Sequence, residues 1–483
     1  MNRYRIMVRA CSQLVAVWMG LLFLSGCSDS PEVPEPESPP FTGMQLSLLI
    51  PNGQGLKATM HSTLEEWSAQ SGAACPVAQF DVSGDLAADI ATVQKTDAQI
   101  LVFPLAHTAD YAASGLFQPI PQSELSSNVL NWSDVFVGLR QTVAVQGDRP
   151  TIVPLRCPSL VCYYRRDLLD AAGLTPPETW QDYARLLETR GDWSGGLPIV
   201  EPWARECLPT LFLAHSVAFA KHPDNYSLLF DVSTGEPLIN RPGFVRGLEF
   251  MQSIAEKLSE GSLQLNLAEA RQLILSGEAA MTFAYESADL GGGGSEGNSA
   301  GSSVSDEAEA RGASVKLGFS RLPGTRQVFD VAESAWKTLE NERVNRVAVI
   351  GWDGLGIAIR AGCTDREQLA VCQLLRRLTI DQLRLAFPAG ARSVCRYSQV
   401  KSAAGWRNKS LDAQERALYV EAVANSLKSA AVVVDYSFVG RTRFRETLAA
   451  AIHQAISEQA SAQVVLDQLA REWQVAMMWP SCW

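Results

Sequence analysis

Histidine is scarce in this chain, with five residues in 483: His61, His107, His215, His222 and His453. They build no H-E-x-x-H zinc motif, and the nearest two, His215 and His222, stand too far apart to share one helical turn as ligands. No Cys-x-x-Cys occurs either, which removes the thiolate metal knuckle and the thioredoxin-like redox motif. Basic residues are in deficit, 41 Lys and Arg against 52 Asp and Glu, for a formal charge of −11. So acidic a surface argues against nucleic acid and against broad adsorption to anionic lipid. Past residue 27 no apolar run approaches the roughly twenty residues that a membrane-spanning helix needs. The nucleophile pattern G-x-S-x-G does occur, around Ser295 and Ser299, but both copies lie in a Gly/Ser-rich stretch where no strand-to-helix elbow is expected. Neither a metal nor a cofactor is expected.

What is present begins at the N-terminus. Residues 1–26 hold Arg3, Arg5 and Arg9, no acidic residue, and an apolar run from Leu14 to Leu24. These are the n-region and h-region of an export signal, too short for a permanent span. Leu24-Ser25-Gly26-Cys27 follows and is similar to the lipobox of bacterial lipoproteins, which implies cleavage before Cys27 and a lipid on it. Loss of the three arginines takes the formal charge from −11 to −14. Residues 27–43, rich in Pro, Glu and Ser, cannot bury a core and read as an extended tether. Eight cysteines remain after Cys11 leaves with the signal and Cys27 takes the lipid: Cys75, Cys157, Cys162, Cys207, Cys363, Cys372, Cys395 and Cys482. An even number in an exported chain suggests disulfides or buried thiols, with the pairing open.

The body opens as an α/β protein. Met44–Ile50 reads as a buried strand, Pro51-Asn52-Gly53-Gln54-Gly55 as a turn, and Leu56–Gln70 as a helix. Gly53, Gly55 and Ala58 meet the loose form of a dinucleotide fingerprint, a weak signal in an exported chain. A second unit runs from the strand Asp97–Phe103 through Pro104-Leu105-Ala106-His107 into a helical stretch. In open parallel sheets such turns lie at the carboxyl ends of strands, where ligands bind, so Asn52 and His107 are expected on one rim.

From Thr151 the text becomes specific. Pro154, Tyr163-Tyr164, Asp167-Leu168, Ala172-Gly173-Leu174, Pro176-Pro177 and Thr179-Trp180 resemble the lobe-crossing segment of family 1 extracellular solute-binding proteins, the maltose-binding type. Residues 97–119, the stretch Glu269–Met281 with its Gly277-Glu278-Ala279-Ala280-Met281, and Gly351–Ile359 (GWDGLGIAI) match further segments of that family in the required order. The resemblance implies two α/β lobes joined by hinge crossover strands, a type II periplasmic-binding fold. Residues 44–152 and 315–362 are expected in the first lobe, and residues 153–289 and 363–483 in the second. Between them lies 290–314, a Gly/Ser-rich insertion that reads as a surface elaboration or as a lid over the site.

The same resemblance implies capture of a small polar ligand between the lobes and delivery to an ABC permease in the cytoplasmic membrane, without covalent chemistry. The expected ligand contacts are Asn52, Gln54 and His107 from the first lobe, Arg156 at the crossover, Trp203, Tyr285 and Glu286 from the second lobe, Trp352 and Asp353 near the hinge, and Tyr436. Aromatic faces with flanking carboxylates suit a saccharide. Arg156 suits instead a ligand carboxylate or phosphate, or a hinge salt bridge. Two other functions stay open: a sensor or envelope interaction protein built on the same lobes, and an exported hydrolase whose paired carboxylates only a structure would reveal.

Overall fold

The computed structural model describes residues 39–52, 56–83, 85–127, 129–146, 149–286, 315–351, 354–380, 393–401, 411–429, 431–435 and 438–477. The export segment with Cys27, most of the tether, Gln54, the insertion 290–314, Trp352, Asp353 and Tyr436 lie outside them.

The first sheet runs in the spatial order Val77–Phe80, Leu48–Pro51, Ile100–Pro104, Leu355–Arg360, Phe117–Gln118, with Ile152–Arg156 also paired to Leu355–Arg360. Its first three strands are parallel, and Leu355–Arg360 returns antiparallel to Ile100–Pro104 (Ile357 opposite Val102) and to Ile152–Arg156. The apolar runs are continuous because both faces are covered. Leu48, Ile50, Ile100 and Val102 point to a core shared with the helices Leu56–Ser71 and Asp365–Ile380, through Met60, Leu64, Trp67, Leu374 and Leu378. Leu49, Leu101 and Phe103 point the other way, onto Phe80, Val93 and Tyr111. The period of two is what assigns each residue to its side.

A second sheet sets Leu160–Arg165 between Leu317–Arg321 and Met281–Tyr285, all antiparallel, with Cys162 opposite Phe283 and Tyr163 opposite Phe319. Leu160, Cys162, Tyr164, Met281 and Phe283 face a large core filled by the helices Trp180–Glu188, Leu208–Ala220, Pro242–Ala255, Arg441–Ser457 and Ala462–Met477. Leu208–Ala220 is buried on every side, and its neighbour approaches through glycine: a Cβ on Gly247 would stand 2.1 Å from Ser216 Oγ. The Thr179-Trp180 pair starts a helix by a capping box, Asp182 N–H donating to Thr179 Oγ1 (3.2 Å) and Thr179 N–H to Asp182 Oδ2 (3.0 Å). Trp180 itself is fully buried.

The division of the chain differs from the expected one. Leu317–Arg321 pairs with Leu160–Arg165, and Ala348–Ile350 pairs in parallel with Val432–Val434, so neither belongs to the first sheet. Helix Asp365–Ile380, expected in the second lobe, closes the first-lobe core. The physical reason is that the chain crosses between lobes repeatedly: between Arg156 and Leu160, between Ile350 and Leu355, and again after Ile380. The crossings touch one another, with Gly351 N–H donating to Pro158 O (2.6 Å) and Cys157 N–H to Ser393 Oγ (2.7 Å).

Candidate interlobe binding site

The strand Ile100–Pro104 ends in a 3-10 turn, Leu105–His107, which leads into the short helix Thr108–Ala113. Leu105 N–H donates to Gly354 O (2.9 Å), which ties this turn to the crossover at 351–354. One helical turn past His107, Asp110 reaches the other lobe. Its Oδ1 accepts the N–H of Gly440 (3.0 Å), the residue that caps the helix Arg441–Ser457 with φ 74°. That φ lies in the left-handed region, which glycine adopts without a Cβ clash. A helix N-terminus leaves backbone N–H groups unspent and carries the positive end of the dipole, so a carboxylate is stabilised there.

Charge concentrates around this contact. Arg441 is 6% exposed and lies in the field of Asp435, Tyr285 and Asp110. Burial lowers the pKa of Arg441, and the neighbouring Arg445 lowers it further. Asp435 is fully buried and accepts from Thr210 Oγ1 (2.6 Å), Arg445 Nη1 (2.6 Å) and Tyr285 Oη (3.4 Å). Burial pulls the His107 imidazole below its ordinary value, Arg441 adding to the shift, whereas burial raises the Asp110 carboxyl against the Gly440 hydrogen bond. His107 Nδ1, Thr108 Oγ1 and Asp110 Oδ2 are buried and meet no hydrogen-bond partner among the described residues. Buried polar atoms are normally satisfied, so three unspent ones within one turn of chain are candidates to meet a polar molecule.

The expected residues divide accordingly. His107 and Tyr285 both lie in the field of Arg441. Asn52 is exposed on the first-lobe rim, its Nδ2 donating to Asp81 Oδ1. Arg156 is 6% exposed at the end of its strand, opposite Leu355. Glu286 is 2% exposed, and its Oε2 accepts from Tyr419 (2.5 Å) inside the second lobe. Trp203 is a correction: it is 2% exposed, and its indole N–H donates to Glu201 Oε2 (2.9 Å) within the core. Glu201, fully buried, also accepts from Tyr183 (2.5 Å) and bonds His215 (3.0 Å), so the segment Val200–Arg205 carries an internal polar quartet rather than a ligand face. Missed from sequence were Asp110, Arg441, Asp435, Arg445 and Thr210. The signals at hand were slight: Asp110 sits one turn beyond His107, and Asp435 and Arg441 flank the stretch that holds Tyr436.

Open grooves elsewhere are built by one lobe alone. One of about 730 Å³ lies beside Trp336, Arg185 and Arg246 in the second lobe. Another of about 410 Å³ lies between Val129, Gln373 and Arg377 in the first. Unlike these two grooves, the cluster around the Asp110–Gly440 contact draws its groups from both lobes, and this decides in its favour.

Comparison with known proteins gives the frame for this geometry. Residues 77–301 match the family model described as "Bacterial extracellular solute-binding protein". No curated protein matches the sequence. Among solved structures, the sugar-binding protein MalE of Xanthomonas citri is similar at TM-score 0.65 and 12% identity, over 90% of this chain and 98% of that one. Maltose-bound MalE3 of T. maritima is similar at TM-score 0.60 and 18% identity, over 90% and 100%. A ribitol-bound ABC transporter solute-binding protein of Agrobacterium radiobacter gives TM-score 0.59 and 16% identity, over 90% and 100%. The stretch 77–301 thus matches the bacterial extracellular solute-binding family, and the chain folds as two-lobed, maltose-binding-like proteins do.

Proposed function

We propose that this protein is the membrane-anchored capture component of an importer: it takes a small polar solute, a saccharide or polyol, between its lobes and presents it to an ABC-type permease. The observation that carries the reading is the interlobe contact, where Asp110 of the first lobe accepts the N–H of Gly440 of the second, with His107 Nδ1, Thr108 Oγ1 and Asp110 Oδ2 unspent on that side and Arg441 in the field of His107 and Asp110. A ligand gripped by both lobes favours the shut arrangement by its differential affinity alone. The relatives' bound maltose and ribitol support the ligand class. The family's extracellular character supports export, and Cys27 after the apolar run supports a lipid anchor. Asn52, Gln54, Arg156, Trp352, Asp353 and Tyr436 remain proposed contributors from the rims and crossovers.

The test is a titration of the folded mature protein with saccharides, oligosaccharides and polyols, read by tryptophan fluorescence and thermal shift. The expected result is a saturable response to at least one neutral solute, weakened at least tenfold by Tyr285→Ala. A panel without any response from folded protein sinks the sugar and polyol reading.

A further inference from the structure

The described cysteines carry free thiols; Cys363 is half-buried and the other six are buried. Two of them meet at the hinge. Cys157 lies in the crossover between the strands Ile152–Arg156 and Leu160–Arg165, and Cys395 lies in the later crossing that follows helix Asp365–Ile380. Beyond burial, the Cys395 thiol is among the groups that raise the Cys157 pKa. The backbones run together as well: Cys157 N–H donates to Ser393 Oγ (2.7 Å), and Phe136 N–H to Cys395 O (3.1 Å). Both side chains are fully buried in one apolar cluster with Phe136, Val161 and Ile350.

We infer that Cys157 and Cys395 form a disulfide in the exported protein, riveting the two interlobe crossings to each other. Thiols buried in one cluster, with the backbone N–H of Cys157 bonded to Ser393 two residues from Cys395, are placed for the approach that a disulfide requires, and an extracytoplasmic compartment preserves the bond once formed. In the reaction the Cys157 and Cys395 thiols exchange with the disulfide of a thiol–disulfide exchange protein: a Cys157–Cys395 S–S bond forms, the partner's S–S bond breaks, and the two electrons and two protons lost by the pair end on the partner's dithiol. Timing follows from burial. The folded Cys157 thiol is held well above its ordinary pKa, chiefly by burial, so little thiolate exists once the hinge has closed. Oxidation therefore belongs to the folding chain, before the crossings dock. The bond leaves each lobe intact and joins the strands about which they swing, so the lobes can still rotate while sliding past one another is prevented. The inference rests on export and on the hinge, not on the identity of the solute.

The experiment uses the full chain, produced with its own export segment and recovered from the cell envelope. Acid quenching, then N-ethylmaleimide under denaturation before any reductant, leads to peptide mapping by mass spectrometry. The expected result is an unalkylated peptide holding Cys157 linked to one holding Cys395, two hydrogens lighter than the separate thiols. Alkylation of both, or linkage of either to a different cysteine, overturns the inference. Thermal melts supply the second measurement: reduction lowers the wild-type Tm by several degrees and leaves the Cys157→Ser/Cys395→Ser double variant unchanged. A wild-type melt indifferent to reduction overturns the bracing role. Should the double variant fail to fold, the wild-type map decides alone.

Discussion

His107 titrates in a setting that penalises its charge. Burial and then Arg441 lower its pKa from 6.5, with Asp110 and Asp89 opposing. The folded state therefore binds fewer protons there than the unfolded chain does. The stability this contributes is present above the unfolded value and is lost as pH falls through it towards the lowered folded one. Between about pH 7 and about pH 5 the unfolding free energy should thus decline, and His107→Gln should flatten that decline. Urea unfolding midpoints measured across the range check it; parallel curves for variant and wild type would refute the assignment. Asp110 acts in the opposite sense at lower pH, because its raised pKa means stability is lost as pH rises through that value. Residue by residue, the sequence places His107 just past one strand and Tyr285 at the end of another, and the structure finds them there. The sequence could not disclose the Asp110 to Gly440 contact, whose partners lie 330 positions apart and look locally like a solvated helix face and a turn glycine. Trp203 misled because the groups that hold it and Glu201 in the core, Tyr183 and His215, lie 18 and 14 positions from Glu201 in the chain.

Secondary-structure elements were more legible than their allocation. The strands Leu48–Pro51 and Ile100–Pro104, the helix Leu56–Ser71 and the helix beginning at Trp180 all fall where apolar runs, turn residues and a capping threonine place them. Which lobe receives Leu317–Arg321 or Asp365–Ile380 was not legible, since an apolar strand or amphipathic helix looks the same on either side of a crossover. The tightest joint between elements is also invisible to periodicity. Helices Leu208–Ala220 and Pro242–Ala255 meet where Gly243 lies over Ala220 and Gly247 over Ser216. A methyl at Gly247 has no room, because Ser216 backbone as well as side-chain atoms lie within 2.6 Å of it. Overpacking at such a contact costs about 1 to 3 kcal/mol, more than the gain in helix propensity, so Gly247→Ala should lower stability. A chemical denaturation curve displaced to lower midpoint is the expected result; an unchanged or higher midpoint would contradict the close approach.

At the scale of the whole molecule, a two-lobed body follows a Pro/Glu/Ser-rich segment and a lipobox-like cysteine. The membrane attachment proposed above rests on Cys27. Cys27→Ala should move the protein from the membrane to the soluble fraction on cell fractionation, and retention in the membrane would refute the anchor. One consequence of the join between lobes concerns the valence of what can be carried. The N-terminus of helix Arg441–Ser457, a natural seat for an anion, already holds Asp110. A negatively charged solute aimed at that seat must first displace a carboxylate of the protein and then lie beside it. A neutral, hydroxyl-rich solute would face no such competition, so under the proposed capture role the cleft would sort its cargo by charge before any finer recognition begins.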